Sequence, residues 1–594
     1  MQGGDSMSNS NIQRSQFTRR SLVAASGAAL TAPLLPKISR AQTSGFPAAV
    51  GSSHELATEA GVAVLEAGGT AADAAFAVAS VLSVVEPYFS HVLGGETWGL
   101  YYEAATGEIT AIDGVGTAGS LVTLEAYAPW YESRGMHQAI VPGGWDGWMV
   151  WLDRFGRTSL LDLLQPSVTL ARDGFTASPE LGVFIRFDEE NVRNHPPTAE
   201  IYLIDGELVD SGQTLYNPDL ADTFEALMGA FSGGAIGALN RGQGESEARS
   251  AGLQAARDYF YRGPIAEAMV AETDTPGNWF TLEDFANFEA SIVPAISIGY
   301  GETSRVWQCP PNSQGITMLL GLNILKNFNQ QGLSAHDPDV VHAQIEAMKL
   351  AFGDRYEFIG DPAFNDIDIE WLLSDEHAAD QFERIDMNAA MAWPENAPID
   401  IGNGNTTTIQ VADQYGNAAS VTTSIGFQFR VITGTGININ ERMKFFSVDP
   451  SNPNSVEPGK RVRHTSCPYI VTRDGAPWVL GGNTGVDTQS QVQLQQMMAA
   501  IDFSMPAQQA IDLGRWVTTA MPNSVIPAAA QNTLQIEDRV SPSLIANLES
   551  RGHNVVVGQG IFGSGGMIKF SPDRTSIEVG VDERFSTSLG VVVS

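Results

Sequence analysis

The stretch Gly-Asn-Gly-Asn-Thr-Thr-Thr-Ile-Gln-Val-Ala, residues 402–412, joins two kinds of sequence. Residues 393–405 are rich in proline, glycine and asparagine, which predicts an irregular, exposed segment. The β-branched residues from Thr406 to Ala412 predict a strand, and a turn at 413–416 precedes a second strand signal at 417–424. An exposed segment therefore leads into a hairpin that begins with threonine. The composition alone fits both an ordinary loop-to-strand junction and a processing site.

Outside this stretch, helix and strand signals alternate without a repeat or a low-complexity linker. A length of 594 residues predicts two or more domains, or one large layered domain. The predicted elements are helices over 54–67, 70–85, 159–172, 314–328 and 338–358, and a hairpin formed by 98–102 and 109–112.

The chain is strongly acidic, with 68 acidic and 33 basic residues and a formal charge of −35. Such a charge repels phosphate backbones and anionic lipid surfaces, so neither nucleic acid nor a membrane surface is an expected partner. A solvated acidic surface that keeps the protein soluble accounts for the composition.

Two cysteines, Cys309 and Cys467, are too few for a disulfide framework. One bridge between them and two unpaired buried thiols both remain open. No Cys/His spacing resembles a zinc site. His342 and Glu346 lie one helical turn apart, a spacing that fits a hydrogen-bonded pair on a helix as well as two metal ligands.

The first 41 residues have the pattern of an export signal. Arg19-Arg20 precedes an apolar, Ala-rich run from Leu22 to Leu35, and Ser39-Arg40-Ala41 has small residues where a signal peptidase cleaves. The paired arginines are typical of a twin-arginine signal, which predicts a mature chain from Gln42 in the periplasm or outside the cell. A retained anchor is the alternative, but the run is shorter than the roughly 20 residues that a span requires.

A series of motifs, in order from about residue 47 to the C-terminus, resembles the γ-glutamyltransferase family of N-terminal nucleophile hydrolases. Each motif is weak alone, and their number, order and spacing carry the resemblance. They are Ala48–His54, Ala63–Ala74, Val85–Pro87, Gly94-Gly95, Val141–Gly144, Leu164–Pro166, Ala171–Gly174, Tyr261–Gly263, Pro310–Gly315, Glu346–Ala351, Asp354-Arg355, Gly360–Pro362, Asn405–Thr407, Asp413–Asn417 and Pro458–Arg461.

The resemblance implies an α+β fold, a four-layer αββα sandwich, and a precursor that cuts itself between Asn405 and Thr406. Residues 42–405 would then form a large subunit and 406–594 a small subunit, which stay together and could pair as a dimer of heterodimers. It also implies a small-molecule amide or peptide substrate, with no cofactor and no metal.

The chemistry that this implies centres on Thr406. A threonine hydroxyl needs a base within hydrogen-bond reach, and cleavage would supply one as the residue's own α-amine. An α-amine has a pKa of about 7.7–8.0, so part of it is neutral near pH 7. Before cleavage the hydroxyl would attack the Asn405 carbonyl, and afterwards the substrate amide.

Other catalytic roles follow only from the resemblance. Ser424 falls where the family has a hydroxyl residue that bonds the nucleophile's amine. Gly482–Gly485 falls on the family's oxyanion loop, so the backbone N–H groups of Gly485 and Val486 are the expected donors. Val486 replaces a second glycine, and Gly481-Gly482 would serve instead if the loop were shifted.

The chain departs from the family in the substrate clamp. Val115 stands in place of an arginine that grips the glutamate carboxylate, Phe445 in place of an acid that binds the α-amine, and His464-Thr465 in place of paired serines. The residues expected to contact the substrate are Thr408, Asn440, Arg442, His464 and Thr465, with Lys444 and Arg463 nearby.

The replacement of the clamp favours an acidic acyl group without an α-amine. His464-Thr465 resembles the amidohydrolase-like branch that includes oxamate hydrolases, and cephalosporin acylases of the family accept glutaryl-like groups. A solvated strand edge would also explain the basic residues. The same residues are compatible with a γ-glutamyltransferase whose clamp is rebuilt, and with an inactive periplasmic binding relative.

Overall fold

The computed structural model describes residues 45–272, 277–392, 406–426, 428–520, 532–558 and 562–593. The predicted signal peptide at 1–41 and Asn405 lie outside these ranges. Within them, no helix is both long and apolar enough to cross a membrane.

The strands of the described ranges follow the predicted alternation with helices. They are β1 Ala48–Ser52, β2 Glu96–Glu103, β3 Glu108–Gly114, β4 Phe175–Thr176, β5 Leu203–Ile204, β6 Glu207–Leu208, β7 Thr214–Leu215, β8 Ser291–Pro294, β9 Ile296–Tyr300, β10 Ser304–Gln308, β11 Thr407–Ala412, β12 Ala418–Ser424, β13 Tyr469–Arg473, β14 Ala476–Asn483, β15 Trp516–Thr518, β16 Leu534–Glu537, β17 Val555–Gly558, β18 Gly565–Phe570, β19 Ile577–Val581 and β20 Leu589–Val593.

Helices connect these strands, together with short 3₁₀ turns at Ala128–Trp130, Met136–Gln138 and Arg442–Phe445. The helices are α1 Glu55–Glu66, α2 Ala71–Val85, α3 Leu124–Tyr127, α4 Gly144–Phe155, α5 Leu160–Asp173, α6 Pro179–Phe187, α7 Glu189–Asn194, α8 Pro196–Tyr202, α9 Pro218–Asn240, α10 Glu245–Tyr261, α11 Pro264–Ala271, α12 Leu282–Asn287, α13 Gly315–Leu325, α14 Pro338–Phe358, α15 Ile369–Leu372, α16 Asp375–Glu383, α17 Thr488–Ile501, α18 Ala507–Asp512 and α19 Pro542–Ser550.

Two large sheets form the centre of the molecule. The first has seven strands in the order β20-β1-β11-β12-β2-β3-β8, and the second has six in the order β19-β18-β14-β13-β10-β9. All pairings within both sheets are antiparallel. Strand β11, which follows Thr406, lies inside the first sheet between β1 and β12.

The two sheets pack face to face through one apolar cluster. Trp98 and Leu100 of the first sheet meet Ile470, Leu480 and Ile568 of the second. Since strand side chains alternate between faces, the opposite faces of both sheets must be covered by other elements.

Helices cover both outer faces. Helix α2 is buried along its whole length, and its Phe76 and Leu82 share a cluster with Ile409 of β11. On the other side, Leu322 of α13 and Leu494 of α17 share a cluster with the second sheet. The four-layer αββα sandwich is confirmed.

Local sequence explains why helix α2, which packs against β11, begins at Ala71. Thr70 accepts a hydrogen bond from the Asp73 backbone N–H, and the Asp73 carboxylate accepts one from the Thr70 N–H, which is a capping box. The helix that follows is apolar on all sides, as expected for a fully buried helix.

Candidate active site

Thr406 immediately precedes β11, at the N-terminal end of this inner strand of the first sheet. Thr407 pairs with Thr423 across the hairpin, which brings Thr406 beside Ser424. The two hydroxyl oxygens are 3.1 Å apart, and both residues are buried. The hairpin predicted from the sequence thus joins the two hydroxyl residues that the resemblance assigns to the nucleophile and its partner.

A second polar contact reaches Thr406 from the opposite layer of the sandwich. Gln489, in the first turn of α17, donates from its Nε2 to the Thr406 Oγ1 over 3.4 Å. Sequence reasoning missed this residue. Its signal was the repeated glutamine of Thr488-Gln-Ser-Gln-Val-Gln-Leu-Gln-Gln496, an unusual composition for a helix with all these positions buried.

The neighbouring Thr407 points towards the helical layer and ends a short hydrogen-bonded chain. Its Oγ1 lies 2.7 Å from the Ser53 Oγ, which donates to the Glu86 Oε2 over 2.7 Å. Burial raises the pKa of Glu86 to about 7, and its Oε1 has no partner among the described residues. Two of the recognised motifs, Ala48–His54 and Val85–Pro87, therefore meet beneath the residue after Thr406.

The loop between β14 and α17 contains two consecutive residues with positive φ. Gly485 has a φ of +108° and Val486 a φ of +52°. A β-branched residue strongly disfavours the left-handed region, so Val486 is held in a conformation suited to glycine. Among the described residues, neither backbone N–H donates a hydrogen bond, which leaves both available to a ligand.

The alternative donors, Gly481 and Gly482, lie within β14 and pair with Met567 and Gly566 of β18. A Cβ on Gly482 would overlap the Thr408 Oγ1 of the facing sheet. Close packing between the sheets therefore accounts for this glycine.

Gln314 ties the oxyanion loop to the segment that contains His464-Thr465. Its Nε2 donates to the Val486 carbonyl over 3.0 Å and to the Thr465 carbonyl over 2.8 Å. Its Oε1 accepts from Arg355 over 2.6 Å. This single carboxamide fixes the two segments relative to each other.

Asn440 and Thr408, both predicted to contact substrate, are bonded to the protein itself. The Asn440 Nδ2 donates to the Gly94 carbonyl over 3.0 Å and to the Glu96 Oε1 over 3.3 Å, and its Oδ1 accepts from the Ile140 N–H over 3.0 Å. The Thr408 Oγ1 accepts from Gln410 over 2.7 Å and lies between the sheets.

Asn440, Arg442, His464 and Thr465 form a wall beside Glu96, which pairs with Ser424 between β2 and β12. Its Oε2 accepts from the backbone N–H groups of Gly116 and Gly143, at 2.5 and 3.3 Å. Burial raises the pKa of the carboxyl, while these N–H groups and the charge of Arg442 favour its ionised form.

Arg442 and His464 are buried close to each other, not solvated at a strand edge. Burial lowers the pKa of Arg442 to about 10, opposed by Glu96 and Glu441. Burial, and then the charge of Arg442, lower the pKa of His464 well below its usual value, so the imidazole is neutral near pH 7. The Arg442 guanidinium lies 4.8 Å from the centre of the Phe445 ring.

Several polar atoms of this wall have no partner in the described part of the chain. They are the Arg442 Nε and one terminal nitrogen, the His464 Nε2 and the Thr465 Oγ1. Buried polar atoms are nearly always hydrogen-bonded in folded proteins, and exceptions are concentrated at sites that bind a ligand or water.

The basic residues flanking this wall have structural partners. The Lys444 ammonium lies 3.3 Å from the Glu441 carboxylate. Arg463 donates to the Arg355 and Ile359 carbonyls over 3.2 and 3.4 Å. The Arg442 guanidinium, in contrast, donates no hydrogen bond to a described residue.

Apolar side chains occupy the positions where the resemblance places the clamp of the family. Phe445 belongs to a buried apolar cluster with Met443, Val456 and Val486, and Val115 belongs to the core between the sheets. This wall offers no carboxylate at Phe445 for an α-amine.

The remaining candidates have structural partners. His342 and Glu346 do not bond each other; the His342 Nδ1 lies 2.8 Å from the His553 Nε2, and Glu346 accepts from Lys349 over 2.8 Å. The ligand atoms of His342, Glu346 and His553 lie within 4.8 Å of one another, but these bonds already engage them. Cys309 and Cys467 are free, buried thiols.

Comparison with known proteins places this geometry in a family. The profile described as Gamma-glutamyltranspeptidase matches residues 57–590. The chain is 33% identical over 515 residues to the glutathione hydrolase-like YwrD proenzyme of Bacillus subtilis, covering 85% of this chain and 90% of that protein. It is 30% identical over 515 residues to the oxamate amidohydrolase proenzyme of Klebsiella pneumoniae, with the same coverage. A solved structure of cephalosporin acylase from Bacillus halodurans matches with a TM-score of 0.78 and 30% identity, covering 95% of this chain and 99% of that one.

The αββα fold and these matches define an N-terminal nucleophile hydrolase. The chain belongs to the γ-glutamyltranspeptidase family. It is a precursor that is processed into subunits, and it hydrolyses an amide bond of a small molecule or peptide.

Proposed function

We propose that this enzyme cleaves itself between Asn405 and Thr406 and then hydrolyses amides of small acidic acyl groups that carry no α-amine. The observation that carries the choice of substrate is the buried Arg442 guanidinium, which has no hydrogen-bond partner among the described residues. The proposed mature form has a large subunit, 42–405, and a small subunit, 406–594, after export and removal of the twin-arginine-like signal.

The Thr406 hydroxyl attacks the substrate carbonyl and its proton passes to the residue's own α-amine. The new Oγ–C bond forms as the carbonyl electron pair moves to oxygen, where the Gly485 and Val486 N–H groups stabilise it. The α-amine returns the proton to the leaving amine as the C–N bond breaks, and water then hydrolyses the acyl-threonine. The 3.1 Å contact with Ser424 orients the nucleophile.

Substrate choice follows from the charges of the wall. A carboxylate beside Arg442 would gain a charge-assisted hydrogen bond in a desolvated setting. The neutral His464 and the Thr465 hydroxyl supply further polar contacts. Phe445 and Val115 offer nothing to bind an α-amine or a second carboxylate, which disfavours γ-glutamyl compounds.

A panel of three substrates tests the proposal. We expect purified enzyme to hydrolyse oxamate or a glutaryl anilide at least tenfold more efficiently, in kcat/KM, than the γ-glutamyl anilide, which differs from the glutaryl compound by its α-amine. A preference for the γ-glutamyl anilide would show that the clamp has been rebuilt. A wild-type chain that neither cleaves itself nor turns over any of the three would support the inactive binding relative.

A further inference from the structure

Gln489 is the one side chain that touches the nucleophile from the second layer, within the part of the chain that the structure describes. Its Nε2 lies 3.4 Å from the Thr406 Oγ1, and the residue is fully buried. It is in the first turn of α17, directly after the loop that contains Gly485 and Val486. The expected backbone donors therefore lie only a few residues before this carboxamide, at the start of the same helix.

The oxygen of the Gln489 carboxamide contacts Cys467. The Cys467 Sγ lies 3.7 Å from the Gln489 Oε1 and 3.7 Å from the Gln493 Oε1. Burial raises the pKa of the Cys467 thiol to about 12, so it is protonated and donates. The single S–H can donate to only one of these two oxygens at a time. In this arrangement the Gln489 Oε1 lies on the side of the thiol and its NH₂ group on the side of Thr406.

We propose that Gln489 is a catalytic residue that donates a hydrogen bond to the tetrahedral oxyanion, in addition to the backbone N–H groups of Gly485 and Val486. This inference rests on the proposed role of Thr406 as the nucleophile. In the intermediate, the Thr406 Oγ1 is bonded to the former carbonyl carbon, and the oxyanion is the next atom along. A donor already 3.4 Å from Oγ1 is within reach of that oxygen.

The position of Gln489 also favours negative charge. The N-terminus of a 14-residue helix carries unpaired N–H groups and the positive end of the helix dipole. Before the reaction, the NH₂ group of Gln489 has only the Thr406 hydroxyl as an acceptor among the described residues. It gains a charged acceptor only when the oxyanion forms. Interactions that strengthen in the transition state raise kcat more than they lower KM.

Gln493 provides a matched control. It lies one helical turn from Gln489, is equally buried and has its Oε1 at the same distance of 3.7 Å from the Cys467 Sγ, yet it has no contact with Thr406 among the described residues. Gln489→Leu and Gln493→Leu therefore remove the same group from the same helix face, and only the first removes a donor to the nucleophile.

The kinetic test uses the self-cleaved enzyme, with active sites counted as the fraction of chains that begin at Thr406. We expect Gln489→Leu to lower kcat about 10- to 1,000-fold with KM changed less than threefold, and Gln493→Leu to stay within about threefold of wild type. Gln489→Leu should also slow self-cleavage more than Gln493→Leu does, because the same hydroxyl attacks the Asn405 carbonyl in that reaction.

The variant Gln489→Glu keeps the size of the side chain but removes its NH₂ donor, so it distinguishes loss of the hydrogen bond from loss of packing. Its carboxylate cannot donate, but its protonated form can, so the ratio of its kcat to the wild-type kcat should rise as the pH falls from 8 to 5. A purely structural role predicts a constant ratio. Equal kcat values and self-cleavage rates for Gln489→Leu and Gln493→Leu would overturn the inference while leaving Thr406 as nucleophile; loss of cleavage in the wild type would instead overturn the proposed function.

Discussion

Two buried arginines of this protein have opposite surroundings. Arg515 donates to the Asp582 carboxylate over 2.5 Å and to the carbonyls of Gly563 and Ile511 over 3.0 and 3.1 Å. Arg442 is equally buried, but its guanidinium bonds no described residue. Burial lowers the pKa of both groups. Arg515 thus has a hydrogen-bonded counter-ion in the fold, whereas Arg442 lies near the carboxyl groups of Glu96 and Glu441 without a hydrogen bond to either.

Burial alone therefore does not identify a functional charge. A paired buried ion is part of the fold, and removal of its partner destabilises the protein. A buried ion without a hydrogen-bonded partner stabilises the fold less, and the charge of Arg442 lies close enough to His464 to lower the pKa of that imidazole.

Loss of the counter-ion of Arg515 should have the greatest consequence for stability. Asp582→Ala leaves the Arg515 charge buried without its carboxylate, and we expect a loss of about 3–5 kcal/mol in the free energy of unfolding. Urea denaturation followed by circular dichroism measures it. The neighbouring, exposed Glu583→Ala should change stability by less than about 0.5 kcal/mol. Equal effects of the two variants would contradict the structural role of the pair.

Replacement of Arg442 should affect activity more than stability. Arg442→Met removes a buried cation without a hydrogen-bonded carboxylate, so we expect a smaller loss of stability than for Asp582→Ala. We also expect a loss of about 10- to 150-fold in kcat/KM for acidic acyl groups, from a charged hydrogen bond of about 1.5–3 kcal/mol. Uncharged acyl groups should lose much less. Lys444→Met, whose ammonium pairs with Glu441, is the control. If the two variants have the same ratio of acidic to uncharged turnover, Arg442 does not select an acidic substrate.

Glu86 is a buried acid that can be compared with the two arginines, because its Oε1 has no hydrogen-bond partner among the described residues. Its pKa of about 7 exceeds the usual 4.5, so the folded state binds more protons and wild-type stability falls as the pH rises from 4.5 to 7. Glu86→Gln keeps an acceptor for Ser53 without the charge. Its stability relative to wild type should increase by up to about 3 kcal/mol between pH 4.5 and 8, when unfolding midpoints are compared.

The exposed Glu108→Gln provides the reference for this pH dependence. Its stability relative to wild type should stay level over the same range. A level difference for Glu86→Gln as well would mean that the pKa of Glu86 is the same in the folded and unfolded states, which would contradict the raised pKa.

The sequence predicted the parts of the site that depend on local pattern. The strand after Thr406, its return to Ser424 and the capped apolar helix after Thr70 follow from residue spacing, and the motifs supplied the layer order. All of these are near neighbours in sequence or are fixed by pairing in one sheet.

Contacts between layers could not be predicted in the same way. Which face of α17 meets Thr406 depends on the packing of two sheets, so Gln489 stood out only as an unusual buried glutamine. The spacing of His342 and Glu346 was compatible with a direct bond, but tertiary packing gave His342 a partner in His553, more than 200 residues away. The burial of Arg442 is likewise a property of the assembled wall.

The N-terminus of the small subunit decides whether Thr406 is the nucleophile. Intact mass measurement and N-terminal sequencing of purified protein should find a chain that begins at Thr406 and ends at Ser594, and Thr406→Ala should leave a single uncut and inactive polypeptide. An active wild-type preparation in which no chain begins at residue 406 would contradict the proposal that this threonine and its own amine form the catalytic pair.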